Sequence, residues 1–431
     1  MEKNQSINNN NINNNLIYVD KFNYEIQNIE ASYIKEHYQI NKFNYENMEK
    51  IIQKINYYKK NDITPDNNFW KYLHKFSTNP GGFITIKNRR EIYSFILDIL
   101  RKKPEFIITN TQVTKEEINS YDTIIRNDCK RSVLFSLLKN NDKFKKYQKI
   151  NNISINESAS TQDTKYENDE FKKTIDIYIN ELMEFTKESL GNHEYFNYFQ
   201  GYQEICLYFM IIFGRKEGVK YMTFFGKIFL DYALTKKFKI NFDMLLDILN
   251  DCCNIVNKKV NTIINKITKT KPYYSLSWLI TYLTHSNDNL YNQLSLLDYF
   301  ITSNISHIYF FSANIIVNEF NKIGTKFNIQ NAYEEFTYME LFFQHFQNLK
   351  ISLIDSNYII KNNEKINHKL FNIIISNMIK NTKNENDKGT LKLLNKNIYH
   401  NEIFEHYSLK SQLLYIFFTF LLFIIIYRKF F

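Results

Sequence analysis

Hydrophobic positions recur three and four residues apart along most of the chain, which is the spacing of amphipathic helices. This pattern predicts helices over residues 69–76, 88–100, 123–138 and 171–190, several more from 221 to 267, and a long apolar run over 290–320. We therefore predict an all-α protein.

One helix pattern begins directly after a polar cluster. Residues 195–214 read YFNYFQGYQEICLYFMIIFG, in which Gln200 and Gly201 stand side by side at the head of an otherwise apolar helix. A glycine lets another backbone approach closely, and a glutamine amide both donates and accepts hydrogen bonds. The local pattern fits a binding site, and it also fits a helix start whose glutamine is merely solvated.

Three segments lack helical periodicity. Residues 1–15 are rich in asparagine and are predicted to be a disordered tail, residues 139–170 a mobile insertion, and residues 383–410 a charged linker. Weaker helical patterns predict an N-terminal extension over 16–65 and a further helical part over 331–382.

A segment without any charged residue lies near the C-terminus, just before Arg428 and Lys429. From Ser411 to Tyr427 the sequence reads SQLLYIFFTFLLFIIIY, 17 residues that would span roughly 25 Å as a helix. The hydrocarbon core of an endoplasmic-reticulum bilayer is about 27 Å thick. The segment predicts a transmembrane tail anchor, and the N-terminal residues lack a signal-peptide pattern, so we expect the body to face the cytosol.

Charge and cysteine usage exclude some functions. The formal net charge is +10, but the lysines are scattered among asparagines, so we predict no nucleic-acid binding and instead a basic surface facing an anionic membrane. The four cysteines show no C-x-x-C spacing and are predicted to be reduced, buried thiols.

Arginines occupy two unusual positions after the turn Gly81-Gly82-Phe83. Arg89 and Arg90 fall in the first turn of the helix predicted over 88–100, where positive charge opposes the helix dipole. Either a nearby carboxylate or another partner would account for them.

Ile125, Asp128 and Arg131 are spaced three residues apart within the helix predicted over 123–138. Residues at this spacing lie close together on one helix face, so the Asp128 carboxylate could hold the Arg131 guanidinium. By itself such a pair is common on protein surfaces.

Together, the pattern Ile125-x-x-Asp128-x-x-Arg131 followed by Tyr198-x-Gln200-Gly201 resembles the two signature motifs of TBC-domain Rab GTPase-activating proteins. The resemblance extends from the Gly81-Gly82 turn to the run Ser277-Trp278-Leu279-Ile280-Thr281, and covers about residues 66–330. It is greatest to the branch of that family with a C-terminal membrane anchor.

The resemblance implies a two-lobed, multi-helix domain that activates a Rab GTPase in its GTP state. Arg131 and Gln200 would enter the Rab active site in trans, as an arginine finger and a glutamine finger. The resemblance assigns supporting roles to Asp128, Ile125, Tyr198, Gly201 and Glu204, and partner contact to Trp278 and Tyr202. Mg²⁺ and GTP would be carried by the Rab, so no cofactor or metal of its own is expected.

The anchored branch implies a role in transport between endoplasmic reticulum and Golgi, on early secretory membranes. The sequence departs from the family where Gln203 and Glu204 replace the usual Asn or His followed by Asp, and where Tyr93 occupies a position usually held by Trp. Two alternatives stay open: a membrane-tethered scaffold that binds a Rab without activating it, and a helical adaptor.

Overall fold

The computed structural model describes residues 42–79, 81–103, 114–133, 162–193, 197–234, 238–268, 272–287, 290–324, 345–346, 349, 368–383 and 385–394. These residues form helices joined by turns, with no β-strand among them, so the all-α class is confirmed for the described part of the chain.

The longer helices, in chain order, begin and end at the following residues. They are α1 Lys42–Asn61, α2 Asn67–Ser77, α3 Ile86–Leu100, α4 Lys115–Asn119, α5 Asp122–Ser132, α6 Gln162–Gly191, α7 Tyr202–Phe213, α8 Arg215–Phe229, α9 Phe238–Thr268, α10 Leu276–Thr281, α11 Leu290–Ile301, α12 Ser306–Gly324, α13 His368–Asn381 and α14 Glu385–Leu394. Two 3₁₀ turns, Tyr273–Ser275 and Thr284–Ser286, flank α10.

Helix α7 is the centre of the first packing group. Every residue from Tyr202 to Phe213 is buried, and α3, α5, α6, α8 and α10 all pack against this helix. A helix that is apolar on all sides is stable in water only when neighbours surround it, which explains this central position. The polar residues at its N-terminal end are therefore held between several helices.

A second packing group forms around α9 and α12. Helix α9 bends at Asn257, whose φ of −159° and ψ of 95° are not helical. Asn261 donates hydrogen bonds to the Asn254 side chain at 2.8 Å and the Asn250 side chain at 3.0 Å, across seven and eleven residues of chain. The two arms of α9 therefore lie antiparallel, and α10 touches both this group and α7.

Two predicted irregular segments contain helix. Helix α6 begins at Gln162, inside the insertion predicted over 139–170, and α14 lies inside the linker predicted over 383–410. Once a helix is nucleated, each added residue gains a hydrogen bond, so polar residues without periodicity can extend it. In α14, Leu391 and Leu394 are fully buried, which gives that segment an apolar contact with the rest of the fold.

The N-terminal extension packs on the body through α1. Met48, Ile51 and Ile55 are buried against α3, and Lys59 reaches Glu91 at 3.0 Å. The predicted tail of residues 1–15 and the anchor from Ser411 to Tyr427 lie outside the described residues. Among the helices that are described, none is long and apolar enough to cross a membrane.

The two unusual arginines both have partners. Arg89 is buried and pairs with Asp298 of α11, which it meets at 2.9 to 3.1 Å through Nε and Nη2, so the expectation of a carboxylate partner is confirmed for Arg89. Arg90 instead donates to the Ile212 carbonyl at 2.6 Å.

Asp298 also organises the Gly81-Gly82 turn. It accepts hydrogen bonds from the Tyr93 hydroxyl and the Phe83 backbone N–H, both at 2.8 Å. Gly82 has φ of +54°, and a Cβ there would lie 2.1 Å from Asp298 Oδ2. Only glycine lets the turn close over this carboxylate.

Candidate functional site

Helix α5 separates an inner face from an outer face. Ile125, Asp128, Cys129 and Ser132 are buried, whereas the Arg131 side chain is 56% exposed. This division follows from the helical repeat: the four buried residues are spaced three or four apart and form one stripe, and Arg131 lies about 60° around the axis from Asp128, at the edge of that stripe. The helix thus holds Arg131 at the edge of the buried face, next to Asp128.

Asp128 and Arg131 form the predicted ion pair. The Asp128 side chain is only 2% exposed, and its Oδ1 accepts from Arg131 Nη2. A buried carboxylate holding the inner edge of a guanidinium restricts where the outer edge can point. The pair therefore orients Arg131 while leaving much of its guanidinium open to solvent.

Tyr198 connects this pair to the second motif. Its hydroxyl is 2.7 Å from Asp128 Oδ2 and 2.7 Å from Gln203 Oε1. Burial raises the pKa of Tyr198 well above its ordinary value, so the hydroxyl keeps its proton and acts as a donor. Because it has one proton, the two acceptor oxygens share it.

Gln200 lies at the tip of the turn that leads into α7. It is exposed, whereas its neighbours Phe199 and Gly201 are buried. Gly201 has φ of +112°, and a Cβ there would lie 2.5 Å from the Thr281 methyl group at the end of α10. Both the backbone angle and the close approach require glycine at position 201. The glycine therefore fixes the turn on which Gln200 is exposed.

Gln203 ties the turn to α5, a role that the sequence analysis missed. It is 2% exposed, accepts from the Gly201 N–H at 2.8 Å and donates to Ser132 Oγ at 3.2 Å. This role could have been predicted from the position of Gln203 near the start of an otherwise apolar helix. An uncharged polar side chain that is buried there must form hydrogen bonds.

Glu204 occupies a different place from Gln203. Its side chain is 11% exposed and lies 2.7 Å from Nδ1 of His285, which is about half exposed in the 3₁₀ turn after α10. Glu204, which stands where the family usually has the shorter Asp, therefore has a partner of its own. That partner lies on the side of the site formed by α10 and the Thr284–Ser286 turn.

Two residues expected to contact a partner are buried. Tyr202 is fully buried and donates to Ser189 Oγ at 3.2 Å, and Trp278 is 2% exposed and packs on the rings of Tyr274 and Phe346. Neither side chain is exposed in this structure, so contact of either with a partner stays a prediction. Tyr202 faces α6 through Ser189, and Trp278 is covered by the rings of Tyr274 and Phe346.

The arrangement brings the two predicted motifs together. A continuous chain of hydrogen bonds runs from Arg131 through Asp128, Tyr198 and Gln203 to the backbone of Gly201, beside Gln200. Both ends of this chain carry an exposed side chain, the Arg131 cation at one end and the neutral Gln200 amide next to Gly201 at the other. Within the described ranges, no group of three or more His, Cys, Asp or Glu side chains is placed to hold a metal ion.

No protein-family model matches the chain, and no curated protein matches it.

Proposed function

We propose that this protein stimulates GTP hydrolysis by a Rab-family GTPase, inserting Arg131 and Gln200 into the partner's active site. The Rab would carry the GTP and Mg²⁺, and this chain would contribute no cofactor. In this proposal the helices form the two-lobed body that the resemblance to TBC domains implies, with α7 and the α9–α12 pair as the two packing centres.

The chemistry needs both side chains. During phosphoryl transfer negative charge spreads over the phosphoryl oxygens, and a water must attack in line with the departing oxygen. An arginine supplied in trans accelerates such reactions by about 10³ to 10⁵, or roughly 4 to 7 kcal/mol. Arg131 would neutralise the developing charge, and the Gln200 amide would orient the water.

The observation that carries the proposal is the hydrogen-bonded path from Arg131 to the turn bearing Gln200. Asp128 is buried, so it acts through Arg131 and does not meet the partner itself. Preorganised donors are effective because the site need not reorganise when charge develops. A surface arginine without such a support would lose more side-chain entropy on binding.

The two alternatives share the fold and differ in chemistry. A scaffold would bind the GTP form of a Rab without acting on it, and an adaptor would bind no GTPase. An exposed arginine paired with a buried carboxylate, and connected by hydrogen bonds to a glycine-dependent turn that carries an exposed glutamine, favours catalysis over both.

Binding to a transition-state mimic distinguishes a GTPase activator from a scaffold and from an adaptor. We expect the protein to bind a Rab loaded with GDP and aluminium fluoride at least about a hundredfold more tightly than the same Rab with GDP alone or with a non-hydrolysable GTP analogue. Calorimetric titration of the full-length protein with each nucleotide state measures this difference. Equal affinity for the fluoride and GTP-analogue states would support the scaffold, and no binding to any Rab the adaptor.

We also propose that the body is held on early secretory membranes, facing the cytosol, by the segment from Ser411 to Tyr427. Deleting residues 411–431 should move the protein from the membrane pellet to the soluble fraction, because the uncharged, largely apolar segment of 17 residues that would be buried in lipid is removed. Fractionation of cells that express either form measures this change. Deletion of residues 1–15 is the matched control, and a truncated protein that still pelleted would place the anchor elsewhere.

A further inference from the structure

We infer that Gln203 sets the position of the two fingers relative to each other. Its side chain bonds Ser132, the residue after Arg131, and Gly201, the residue after Gln200. One amide therefore joins the two backbone segments that carry the proposed catalytic side chains. This inference rests on the proposed function for its catalytic meaning, and on the geometry alone for the coupling.

The orientation of the amide follows from its partners. The Gly201 N–H is a backbone donor 2.8 Å from Oε1, so the oxygen must face the turn and the NH₂ group must face Ser132. The Tyr198 hydroxyl approaches the same oxygen at 2.7 Å. No other assignment of oxygen and nitrogen satisfies the Gly201 donor.

Because the Gln203 amide is buried, losing its hydrogen bonds should have a large effect on the turn. Gln203 is 2% exposed and Ser132 4%, so water does not replace a bond that is lost there. Gly201 is held at φ of +112° against Thr281, which leaves the turn little room to shift in the other direction. Removing the amide would free the turn on the side facing α5.

Gln203 touches neither proposed finger directly, so it is a positioning residue. A displacement of about 1 Å in a catalytic group can lower a rate by about a hundredfold. We therefore expect loss of Gln203 to lower the maximal stimulated rate and to leave the affinity for the GTPase unchanged, since Gln203 is itself buried and offers no surface to the GTPase.

The test uses two full-length variants and one control. Gln203→Met keeps the volume and removes all the amide's hydrogen bonds, and Ser132→Ala removes only the bond to α5. Asn261→Leu is the control, because Asn261 is also a buried bridging amide but joins the two arms of α9.

Amide hydrogen exchange by mass spectrometry tests the coupling without any GTPase. We expect Gln203→Met to speed exchange at least about tenfold in peptides covering residues 197–203 and 126–133, with a smaller change for Ser132→Ala and none there for Asn261→Leu. Unchanged exchange in both peptides would overturn the inference. If Gln203→Met does not fold, Ser132→Ala decides by the same criterion.

Single-turnover hydrolysis then tests the catalytic meaning. We expect Gln203→Met to lower the saturating rate by about tenfold to a hundredfold while the half-saturating concentration stays within about twofold. Faster exchange with a normal saturating rate would overturn the positioning role. If the wild-type protein stimulates no Rab, the proposed function fails, and the exchange result alone decides whether Gln203 couples the two segments.

Discussion

Arg131→Ala should lower Rab GTP hydrolysis stimulated by this protein at least about a hundredfold, because an arginine supplied in trans accounts for about 10³ to 10⁵ in rate. The fold should remain intact, since the Arg131 side chain is 56% exposed. The substitution leaves Asp128 buried without its cation, while Tyr198 still donates to it at 2.7 Å. Phosphate release at saturating activator, with circular dichroism as the folding check, measures both expectations.

Arg126→Ala is the matched control for Arg131→Ala. Arg126 is an exposed arginine of the same helix, five residues earlier and so about 140° around the axis from Arg131. It should retain most of the stimulated rate, because the same charge is lost from a different face. Gln200→Ala should cost less than Arg131→Ala but clearly more than this control. Equal losses for both arginine variants would point to general electrostatic attraction.

Asp298→Asn should reduce the free energy of unfolding by about 3 to 5 kcal/mol, the cost of leaving one buried partner of an ion pair uncompensated. Arg89 is 1% exposed, and Asp298 also receives the Tyr93 hydroxyl and the Phe83 N–H. Burial raises the pKa of the Asp298 carboxyl, and Arg89 opposes that rise. Urea unfolding, followed by circular dichroism, measures the loss.

Two further variants show whether the buried pair is responsible. Asp176→Asn removes an exposed carboxylate from α6 and should change stability by less than about 0.5 kcal/mol. Combining Asp298→Asn with Arg89→Met should cost less than the two single losses added together, because the second change removes the unpaired charge. Strict additivity would show that the two side chains act independently.

The helices were predictable from sequence where a core fixes one face. The segments at 69–76, 88–100 and 171–190 lie within α2, α3 and α6, because their apolar residues repeat at the helical period. The start of α6 at Gln162, the bend at Asn257 and the helix α14 were not predicted. Polar residues extend a helix at little cost, and a bend depends on what packs against each arm, which local periodicity does not contain.

The site was predictable where residues along one helix interact. The Asp128–Arg131 pair follows from a spacing of three, and the glycine requirement at Gly201 from its place before α7. The contacts of Tyr198 with Asp128 and of Gln203 with Ser132 cross about 70 residues of chain, and only packing of α7 against α5 creates them. Trp278 and Tyr202, to which the resemblance assigned contact with a partner, are buried by other neighbours that are also distant in sequence or in a different helix, Phe346 for Trp278 and Ser189 for Tyr202.

The most direct test of the catalytic proposal is single-turnover phosphate release from a panel of GTP-loaded Rabs, with wild-type protein, with Arg131→Ala and with no activator. We predict that wild-type protein accelerates at least one Rab by about a thousandfold or more, and that Arg131→Ala removes at least about a hundredfold of that acceleration. Equal rates with wild-type protein and with Arg131→Ala, across the whole panel, would contradict the proposal that Arg131 acts in catalysis.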